Sequence, residues 1–582
     1  MDLFANKKFV ASVVIILLLS FVGQSLYFSS SSTYTYDETV SVINGYYYLS
    51  THDLRLGLSQ PPLSAYLSAL PLFFVDVDFD FGRESCRAYD NWRCAQELLF
   101  EGGNDAAKIL FLSRMVSILA SAIAGVVVFL WSRELFGNRA GLLSLALFAF
   151  SPIMIGHGSL ALTNAFLALF VVLNLYLFYR FLKKPSLGLF AFFSVSFGLA
   201  VASKANAAIL LPVIYLFILL FLWLAREFGM LAFLRKSFRA NMRTFVIHGA
   251  AVAAIAFAVL LVVYQFQFGT LASSVPPKYV PVFEGISSGL PPAVSGVADF
   301  VVFKLPIPFP SFFSGAAWHA VAGENKLSFM MGEVFTGTKP MFFPVVFLVK
   351  TPIALIFLAV LGLSLCRPSR HGMFFLAFPV LLWFGFFALA LNSGVQHILP
   401  VYLFLFILAG RSALWFSGIN VRSVFVAALL LWSIASSVAI APYYLAYFNE
   451  LAGGPGNGHG IVGVTNFDIG QDLANLKAYM DDNGIQSVKL SYFGTADPSY
   501  FGINYTYLVS PRFQPWDPEF VPIVPENVTE QCGPTDGVVA VSATNYHGIF
   551  LNNKSCYSWL RGYEPVARVG HTIFIYDIPL RP

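Results

Sequence analysis

Charged residues are scarce in this chain. Only 11% of its 582 residues are Asp, Glu, Lys or Arg, whereas ordinary soluble domains carry roughly 25%. Hydrophobic residues make up 57% of the sequence, and the mean hydropathy is +0.71. So little charge and so many apolar residues indicate a protein that crosses a membrane several times.

Other signals are missing as well. There is no Lys/Arg-rich stripe and no recognition motif of a nucleic-acid-binding protein, so a nucleic-acid partner is excluded. No group of Cys and His residues has the spacing of a zinc site, which argues against zinc binding. The sequence has no internal repeat, whereas many transporters do have internal repeats. These absences favour a membrane enzyme over the alternatives.

Long apolar runs divide the chain. The first follows Lys7 and Lys8 and has no clear small-residue cleavage site at its end, so we interpret it as a retained signal-anchor helix. About eleven runs are candidate transmembrane helices. They cover residues 9–28, 109–131, 139–157, 160–180, 187–202, 206–225, 244–266, 341–365, 372–391, 398–416 and 423–441.

Three more polar stretches lie between or after these runs, at 29–108, 267–340 and 442–582. Lys and Arg concentrate in the other, shorter loops, whereas the stretch 29–108 holds eleven Asp or Glu residues. Because Lys and Arg favour cytoplasmic loops, we expect a cytoplasmic N-terminus in a cell membrane. All three polar stretches then lie on the outer face.

Cysteines are few, and their positions agree with this orientation. Cys86 and Cys94 lie in the first outer stretch, Cys532 and Cys556 in the last, and only Cys366 is on the inner side. Disulfides form in oxidising compartments. This distribution predicts two local disulfides, Cys86–Cys94 and Cys532–Cys556, and a free Cys366.

The last polar stretch has the pattern of a small α/β domain. It is long enough to bury a core of its own. Residues 471–480 have helical spacing, and three segments have the pattern of strands, namely 487–492, 537–542 and 571–577. The sequence therefore predicts a polytopic α-helical membrane domain over 1–441 and an extracytoplasmic α/β domain over 442–582.

Two adjacent carboxylates, Asp37 and Glu38, follow the first apolar run. They would lie just beyond the membrane surface. One carboxylate can take a proton from an attacking hydroxyl while its neighbour positions it or holds a metal ion. Acidic pairs also occur in solvated loops, so the pair alone does not separate the two interpretations.

Four basic residues lie at or near the outer ends of apolar runs, namely Arg114, Lys204, Lys350 and His397. Charge inside a bilayer is costly and usually functional, although Lys and Arg near helix ends can extend to the headgroups. Together these side chains would form a basic cluster that suits the phosphate of a lipid. We predict that they bind a donor phosphate.

Four polar residues are weaker candidates for substrate contacts. They are Gln60, His157, Asn164 and Glu333. His157 and Asn164 flank the turn between the third and fourth apolar runs. A lone His is more often structural than functional, and each of the four signals is short.

Several short motifs resemble, in their order along nearly the whole chain, the protein O-mannosyltransferase and aminoarabinose-transferase family. These GT-C fold glycosyltransferases use polyprenyl-linked sugars, and the C-terminal motifs resemble a prokaryotic branch with an added outer domain. The motifs are Asp37-Glu38, Pro61-Pro62-Leu63, Ser151-Pro152, Gly198-Leu199-Ala200, Ser203-Lys204, Gly332-Glu333, Phe342-Phe343-Pro344, Lys350-Thr351-Pro352, His397-Ile398-Leu399-Pro400, the stretch Tyr447–Pro455 and the stretch Phe467–Leu473.

The resemblance implies an active site on the outer face, with Asp37 as the catalytic base and Glu38 beside it. Three positions depart from the family pattern. Asn164 stands where relatives often have Asp, Gln396 where Arg usually precedes His, and Gln60 where His or Lys often precedes the two prolines. The first departure puts a metal site in doubt, so no cofactor is assigned and a divalent metal ion stays an open alternative.

The implied reaction is a single, inverting displacement. An acceptor hydroxyl on a protein, lipid or glycan attacks the anomeric carbon of a polyprenyl-phosphate sugar. The basic cluster stabilises the departing phosphate, where charge develops. Two other classes stay open: a transporter or flippase of lipid-linked sugars, and a non-catalytic scaffold. An oligosaccharyltransferase is the nearest enzymatic alternative, but its WWD-type signature is absent.

Overall fold

The structure is a computed structural model. It describes residues 3–57, 60–224, 238–289, 291–324, 327–365, 374–390, 392–416, 418, 420–511 and 532–579. Helices dominate it up to residue 440. The longer α-helices are Lys7–Ser31, Glu38–Thr51, Leu63–Ala69, Ala106–Phe136, Asn138–Ala149, Pro152–Ser159, Thr163–Lys183, Leu187–Ser203, Ala207–Leu224, Phe238–Val263, Val280–Ser288, Pro292–Asp299, Pro310–Glu324, Phe342–Lys350, Ile353–Ser364, Phe374–Ala390, Leu399–Gly410, Val421–Ile440 and Leu473–Asp482.

Among the described residues, six helices are long and apolar enough to cross a membrane. They are Lys7–Ser31, Ala106–Phe136, Thr163–Lys183, Val246–Val263, Val395–Trp415 and Val421–Ile440. Two bent helix pairs raise the number to eight if each pair is one span. Three further predicted runs form the shorter apolar helices Leu187–Ser203, Ala207–Trp223 and Phe374–Leu389. The chain is therefore a multi-pass membrane protein, with fewer spans of full length than the eleven predicted runs.

The two bent pairs interrupt runs that the sequence analysis treats as single spans. Asn138–Ala149 and Pro152–Ser159 meet at 61°, and Phe342–Lys350 and Ile353–Ser364 meet at 105°. Each break falls at a proline, Pro152 or Pro352. Proline lacks the N–H that would continue the helix, and it disfavours helical backbone at the residue before it. Lys350 consequently ends a helix instead of lying inside a continuous one.

The polar stretch 267–340 contains short strands. Strand β1 (Phe268–Gly269) pairs antiparallel with β2 (Ile307–Pro308), and β3 (Leu327–Met330) pairs antiparallel with β4 (Glu333–Thr336). The cysteines are bonded as Cys86–Cys94 and Cys532–Cys556. Cys366 lies outside the described residues.

The C-terminal stretch folds into one five-stranded sheet with the order β6-β5-β7-β9-β8. Its strands are β5 (Val488–Ser491), β6 (Tyr505–Tyr507), β7 (Gly537–Ser542), β8 (Ala567–Val569) and β9 (Ile573–Ile578). β5 is parallel to both of its neighbours, whereas β9 is antiparallel to β7 and β8. The short edge strands β6 and β8 are the ones that the sequence pattern missed, because three residues show no reliable alternation.

Close packing fixes the helix that carries the carboxylate pair. A Cβ atom on Gly45, in the helix Glu38–Thr51, would lie 2.1 Å from the carbonyl oxygen of Ala65 in the helix Leu63–Ala69. Only glycine permits this approach. Gly23, in the exposed first helix, has no atom within 4 Å of the same position.

We expect Gly45→Ala to lower the free energy of unfolding by about 1–3 kcal/mol, because the added methyl group overpacks the contact between the two helices. Gly23→Ala is the matched control. It should leave stability unchanged or raise it slightly, since alanine is the better helix former. Thermal unfolding of both purified variants in detergent measures the difference, and equal midpoints would contradict this account of the packing.

Candidate active site

Glu38 and Arg114 form a fully buried ion pair. Glu38 opens the helix Glu38–Thr51, and Arg114 lies near the N-terminal end of the helix Ala106–Phe136. Arg114 Nε donates to Glu38 Oε1 at 2.8 Å, and Nη2 donates to Oε2 at 2.6 Å. Both side chains have no solvent exposure. This bidentate contact joins the polar stretch 29–108 to the membrane helices.

The remaining donors of Arg114 are also occupied. Nη1 donates to the Ser32 hydroxyl at 2.8 Å and to the carbonyl oxygens of Ser32 and Ser29 at 3.1 and 3.3 Å. Nη2 donates to the Thr33 carbonyl at 2.9 Å. The guanidinium of Arg114 is therefore buried and its N–H groups are used within the protein, and the predicted contact with a donor phosphate stays a prediction.

Glu38 is equally well satisfied. The Ala161 N–H donates to its Oε1 at 2.8 Å, while the Thr35 N–H and hydroxyl donate to Oε2 at 3.1 and 2.9 Å. Burial alone would raise the pKa of Glu38, but Arg114 and these donors outweigh burial and lower it. Glu38 is consequently a permanently charged structural group, and it is a poor candidate for a proton acceptor.

Asp37 has the opposite environment. Its side chain is exposed, it occupies the N-cap position of the helix Glu38–Thr51, and it makes no capping hydrogen bond to that helix. Its backbone neighbours are held firmly: the Tyr36 N–H donates to the Ile469 carbonyl at 2.8 Å, and the Thr495 hydroxyl donates to the Tyr36 carbonyl at 3.1 Å. The result is an accessible carboxylate on a fixed backbone.

The C-terminal domain holds this loop through one segment. The Thr33 N–H donates to the Gln471 carbonyl at 2.9 Å, and its hydroxyl donates to the Gly470 carbonyl at 3.2 Å. Together with the bond from Tyr36 to Ile469, these contacts pair residues 33–36 with residues 469–471. Gly470 has φ +87°, and a Cβ there would lie 2.9 Å from the Phe493 carbonyl oxygen.

Two buried carboxyl groups anchor this segment to the sheet domain. Asp468 accepts from the Thr544 N–H at 2.9 Å. Asp472 accepts from the Thr572 hydroxyl at 2.5 Å and from Asn475 Nδ2 at 2.7 Å. Burial raises the pKa of Asp468 to about 6 and that of Asp472 to about 7. The sequence analysis found this segment only as a motif, because nothing in its pattern indicates the contact with residues 33–36.

Two of the predicted phosphate ligands meet in the structure. Lys204 caps the end of the helix Leu187–Ser203, and His397 lies in the turn Val395–Ile398. Lys204 Nζ is 3.3 Å from His397 Nδ1, and the Ser393 hydroxyl is 3.0 Å from Nε2. Lys204 is 8% exposed and His397 is half-buried. The pair is thus close to the surface of the fold without being solvated like an ordinary surface charge.

Lys350 has different surroundings. It is 1% exposed. Its Nζ donates to the Leu445 carbonyl at 2.9 Å and lies 4.3 Å from the centre of the Phe448 ring. These contacts connect the break after the helix Phe342–Lys350 with residues 445–448, a structural role that differs from the predicted phosphate contact.

The predicted substrate contacts are spread over several places. His157 and Asn164 are buried, and within the described part of the chain neither His157 ring nitrogen nor Asn164 Oδ1 has a hydrogen-bond partner. Glu333 is exposed and pairs with Lys339 at 2.7 Å. Gln60 is half-buried just before the helix Leu63–Ala69. Of these four, His157 and Asn164 have unused polar atoms that a ligand or water could satisfy.

A metal ion has no evident donor set here. Across the described ranges, no group of three or more His, Cys, Asp or Glu side chains could hold one. Asn164 supplies an amide oxygen where relatives often have a carboxylate, and Glu38 is committed to Arg114. The residues present therefore do not fit a divalent metal site, and no step below uses one.

Comparison with known proteins agrees with the resemblance. Residues 107–264 match the family model for dolichyl-phosphate-mannose-protein mannosyltransferase. No sequence among the curated proteins matches the chain.

Several solved structures are similar. The structure of ArnT from Cupriavidus metallidurans bound to undecaprenyl phosphate is 14% identical, with a TM-score of 0.45 and 98% of each chain covered. The oligosaccharyltransferase AglB from Archaeoglobus fulgidus, in complex with an inhibitory peptide and a dolichol-phosphate, is 16% identical with a TM-score of 0.43, covering 76% of this chain and 58% of that one. The S. cerevisiae Pmt1-Pmt2 complex bound to the sugar donor is 18% identical with a TM-score of 0.32, covering 44% and 33%.

The two carboxylates should respond differently to neutralisation. Glu38→Gln leaves the buried Arg114 without a counter-charge, so we expect a loss of about 3–5 kcal/mol in the free energy of unfolding. Asp37→Asn changes an exposed side chain and should stay within about 0.5 kcal/mol. Thermal unfolding of the two amide variants tests this, and a larger loss for Asp37→Asn would reverse the assignment.

The helical membrane domain with its C-terminal sheet and the family-model match over residues 107–264 confirm the predicted GT-C class. The family-model match also agrees with the resemblance to the protein O-mannosyltransferase superfamily, on which the prediction of a glycosyltransferase that uses a polyprenyl-phosphate-linked sugar rests.

Proposed function

We propose that Asp37 is the general base that activates the acceptor hydroxyl and that Lys204 and His397 bind the donor phosphate. One observation supports the role of Asp37. Of two adjacent carboxylates, Glu38 is buried against Arg114, whereas Asp37 is exposed at the start of the same helix. Only Asp37 can meet an acceptor.

The loop of the proposed base and the turn of the proposed phosphate ligand His397 contact the same segment of the chain. Asn466 Oδ1 accepts from the Val395 N–H at 2.8 Å, in the turn that carries His397. Three residues later, the Ile469 carbonyl accepts from the Tyr36 N–H, next to Asp37. Three residues span at most about 10 Å. The His397 turn and the Asp37 loop are therefore both attached to one short segment, which supports a shared site.

The reaction follows from these positions. The acceptor oxygen forms a bond to the anomeric carbon of the donor sugar while the bond from that carbon to the phosphate oxygen breaks. Asp37 takes the proton of the acceptor hydroxyl. The negative charge stays on the polyprenyl phosphate, where the cation of Lys204 and a ring N–H of His397 stabilise it. A single displacement of this kind inverts the anomeric centre.

The orientation in the membrane belongs to the same proposal. We place the N-terminus in the cytoplasm and the C-terminal domain outside, because Lys and Arg concentrate in the short loops on one side. The two disulfides, Cys86–Cys94 and Cys532–Cys556, then both lie on the outer face, where an oxidising compartment permits them. The carboxylate pair lies on that side too.

Asp37→Asn should reduce sugar transfer by about 10²- to 10⁴-fold, the usual loss when a positioned general base is removed. Asparagine keeps the size and polarity of the side chain but cannot accept the proton at neutral pH. Transfer from a polyprenyl-phosphate sugar by the purified protein measures the loss. The melting temperature of the same sample is the control, and full activity would remove Asp37 from the mechanism.

His397→Ala should raise the KM for the lipid donor about ten- to hundredfold, because a hydrogen bond to a charged group contributes about 1.5–3 kcal/mol. Lys350→Ala is the contrasting variant. It should lower the melting temperature, since it leaves the Leu445 carbonyl without its donor, and the folded fraction should keep the donor KM of the wild type. Titration of the lipid donor with both variants measures the two KM values. A raised donor KM in Lys350→Ala alone would show that Lys350 binds the phosphate and that His397 has the structural role.

A further inference from the structure

The C-terminal sheet has a crevice at a defined place. β5 lies between β6 and β7 and is parallel to both. The chain therefore leaves the carboxyl end of β5 toward one side to reach β6 and later returns to the opposite side to form β7. In open α/β sheets, ligands bind outside the carboxyl ends of the strands at such a point.

A partly open cleft occupies this position. The loop after β5 and strand β6 form one part of the wall, and two residues of the membrane domain complete it. The polar and tyrosine side chains that matter here are Thr495, Asp497, Tyr505, Tyr507, Tyr36 and Gln96.

The wall of the cleft is bonded to the catalytic loop. The Thr495 hydroxyl donates to the carbonyl of Tyr36 at 3.1 Å and is 2.8 Å from the Thr39 hydroxyl. Gln96 Nε2 donates to the Thr495 carbonyl at 3.3 Å. Tyr36 itself lines the cleft, and the next residue is Asp37. A molecule in the cleft would therefore contact the residue that precedes the proposed base.

The side chains that line the cleft indicate the chemical class of its ligand. Tyr505 and Tyr507 alternate on one strand, so they share a face and lie about 7 Å apart. Such rings pack against the C–H face of a sugar, while the Asp497 carboxylate can accept hydrogen bonds from hydroxyl groups. No Lys or Arg occurs among the described residues that line the cleft. Asp497 would repel an anion, so a phosphorylated or carboxylated ligand does not fit.

We propose that this cleft binds the acceptor and that the acceptor is a neutral saccharide. The inference rests on the function proposed above. One hydroxyl of the bound saccharide attacks the anomeric carbon of the donor sugar and gives its proton to Asp37, and the polyprenyl phosphate leaves. The C-terminal domain thus selects the acceptor, and the membrane domain holds the donor.

The test uses the full-length protein in lipid nanodiscs with a polyprenyl-phosphate sugar as donor. A panel of neutral p-nitrophenyl mono- and disaccharides serves as the acceptor probe. Saturation-transfer NMR measures binding of the panel, and chromatography measures transfer to it. The variants are Tyr505→Ala, Tyr505→Phe and Asp497→Asn, with Tyr563→Ala as the control, because Tyr563 is 41% exposed and does not line the cleft.

We expect at least one panel member to bind and to accept the sugar. Tyr505→Ala and Asp497→Asn should raise its KM about tenfold, the effect of losing one aromatic or polar contact of about 1.4 kcal/mol. Tyr505→Phe should be milder, since the ring remains. Tyr563→Ala should match the wild type, and melting temperatures identify any variant that fails to fold.

Other outcomes overturn the inference. If no panel member binds, or if the KM is the same in wild type and cleft variants, the cleft is not a saccharide site. If a Ser- or Thr-containing peptide accepts the sugar and Tyr505→Ala weakens that reaction, the acceptor class is wrong. Failure of the proposed function is distinguishable, because donor consumption would then be equal in wild type and Asp37→Asn.

Discussion

The buried ion pair between Glu38 and Arg114 fixes the part of the molecule on which the chemistry depends. Removing two charges from water is costly, and their attraction compensates only when the remaining donors and acceptors have partners. Here the carbonyl oxygens of Ser29, Ser32 and Thr33 and the N–H of Ala161 meet that condition. These partners come from two separate parts of the chain, residues 29–33 and residue 161, so the pair connects the start of the polar stretch 29–108 to the membrane helices.

A segment of the C-terminal stretch also holds the loop of residues 33–36 in place. Residues 466–471 bind the turn of His397 at one end and residues 33–36 at the other. The buried carboxyl groups of Asp468 and Asp472 attach this segment to the C-terminal sheet. A displacement of the sheet domain would therefore move the backbone beside Asp37. This arrangement couples the position of the C-terminal sheet to that of the Asp37 loop.

Composition and hydropathy were sufficient to predict the membrane class, the positions of the apolar helices and the α/β character of the end of the chain. They could not assign Arg114, because an arginine at the end of an apolar run has the same pattern whether it binds a phosphate or a carboxylate. Lys204 and His397 are 193 positions apart, and only the fold brings them together. The cleft escaped prediction for a related reason: β6 has three residues, too few for a periodic signal.

The adjacent acids show how one dipeptide can supply two functions. Successive side chains on a helix point about 100° apart, so at a helix start one can face the core while the other faces solvent. Glu38 turns inward to Arg114 and stays charged, and Asp37 turns outward. Holding the loop is therefore the task of the buried Glu38, and the exposed Asp37, one residue before it, takes no part in that ion pair.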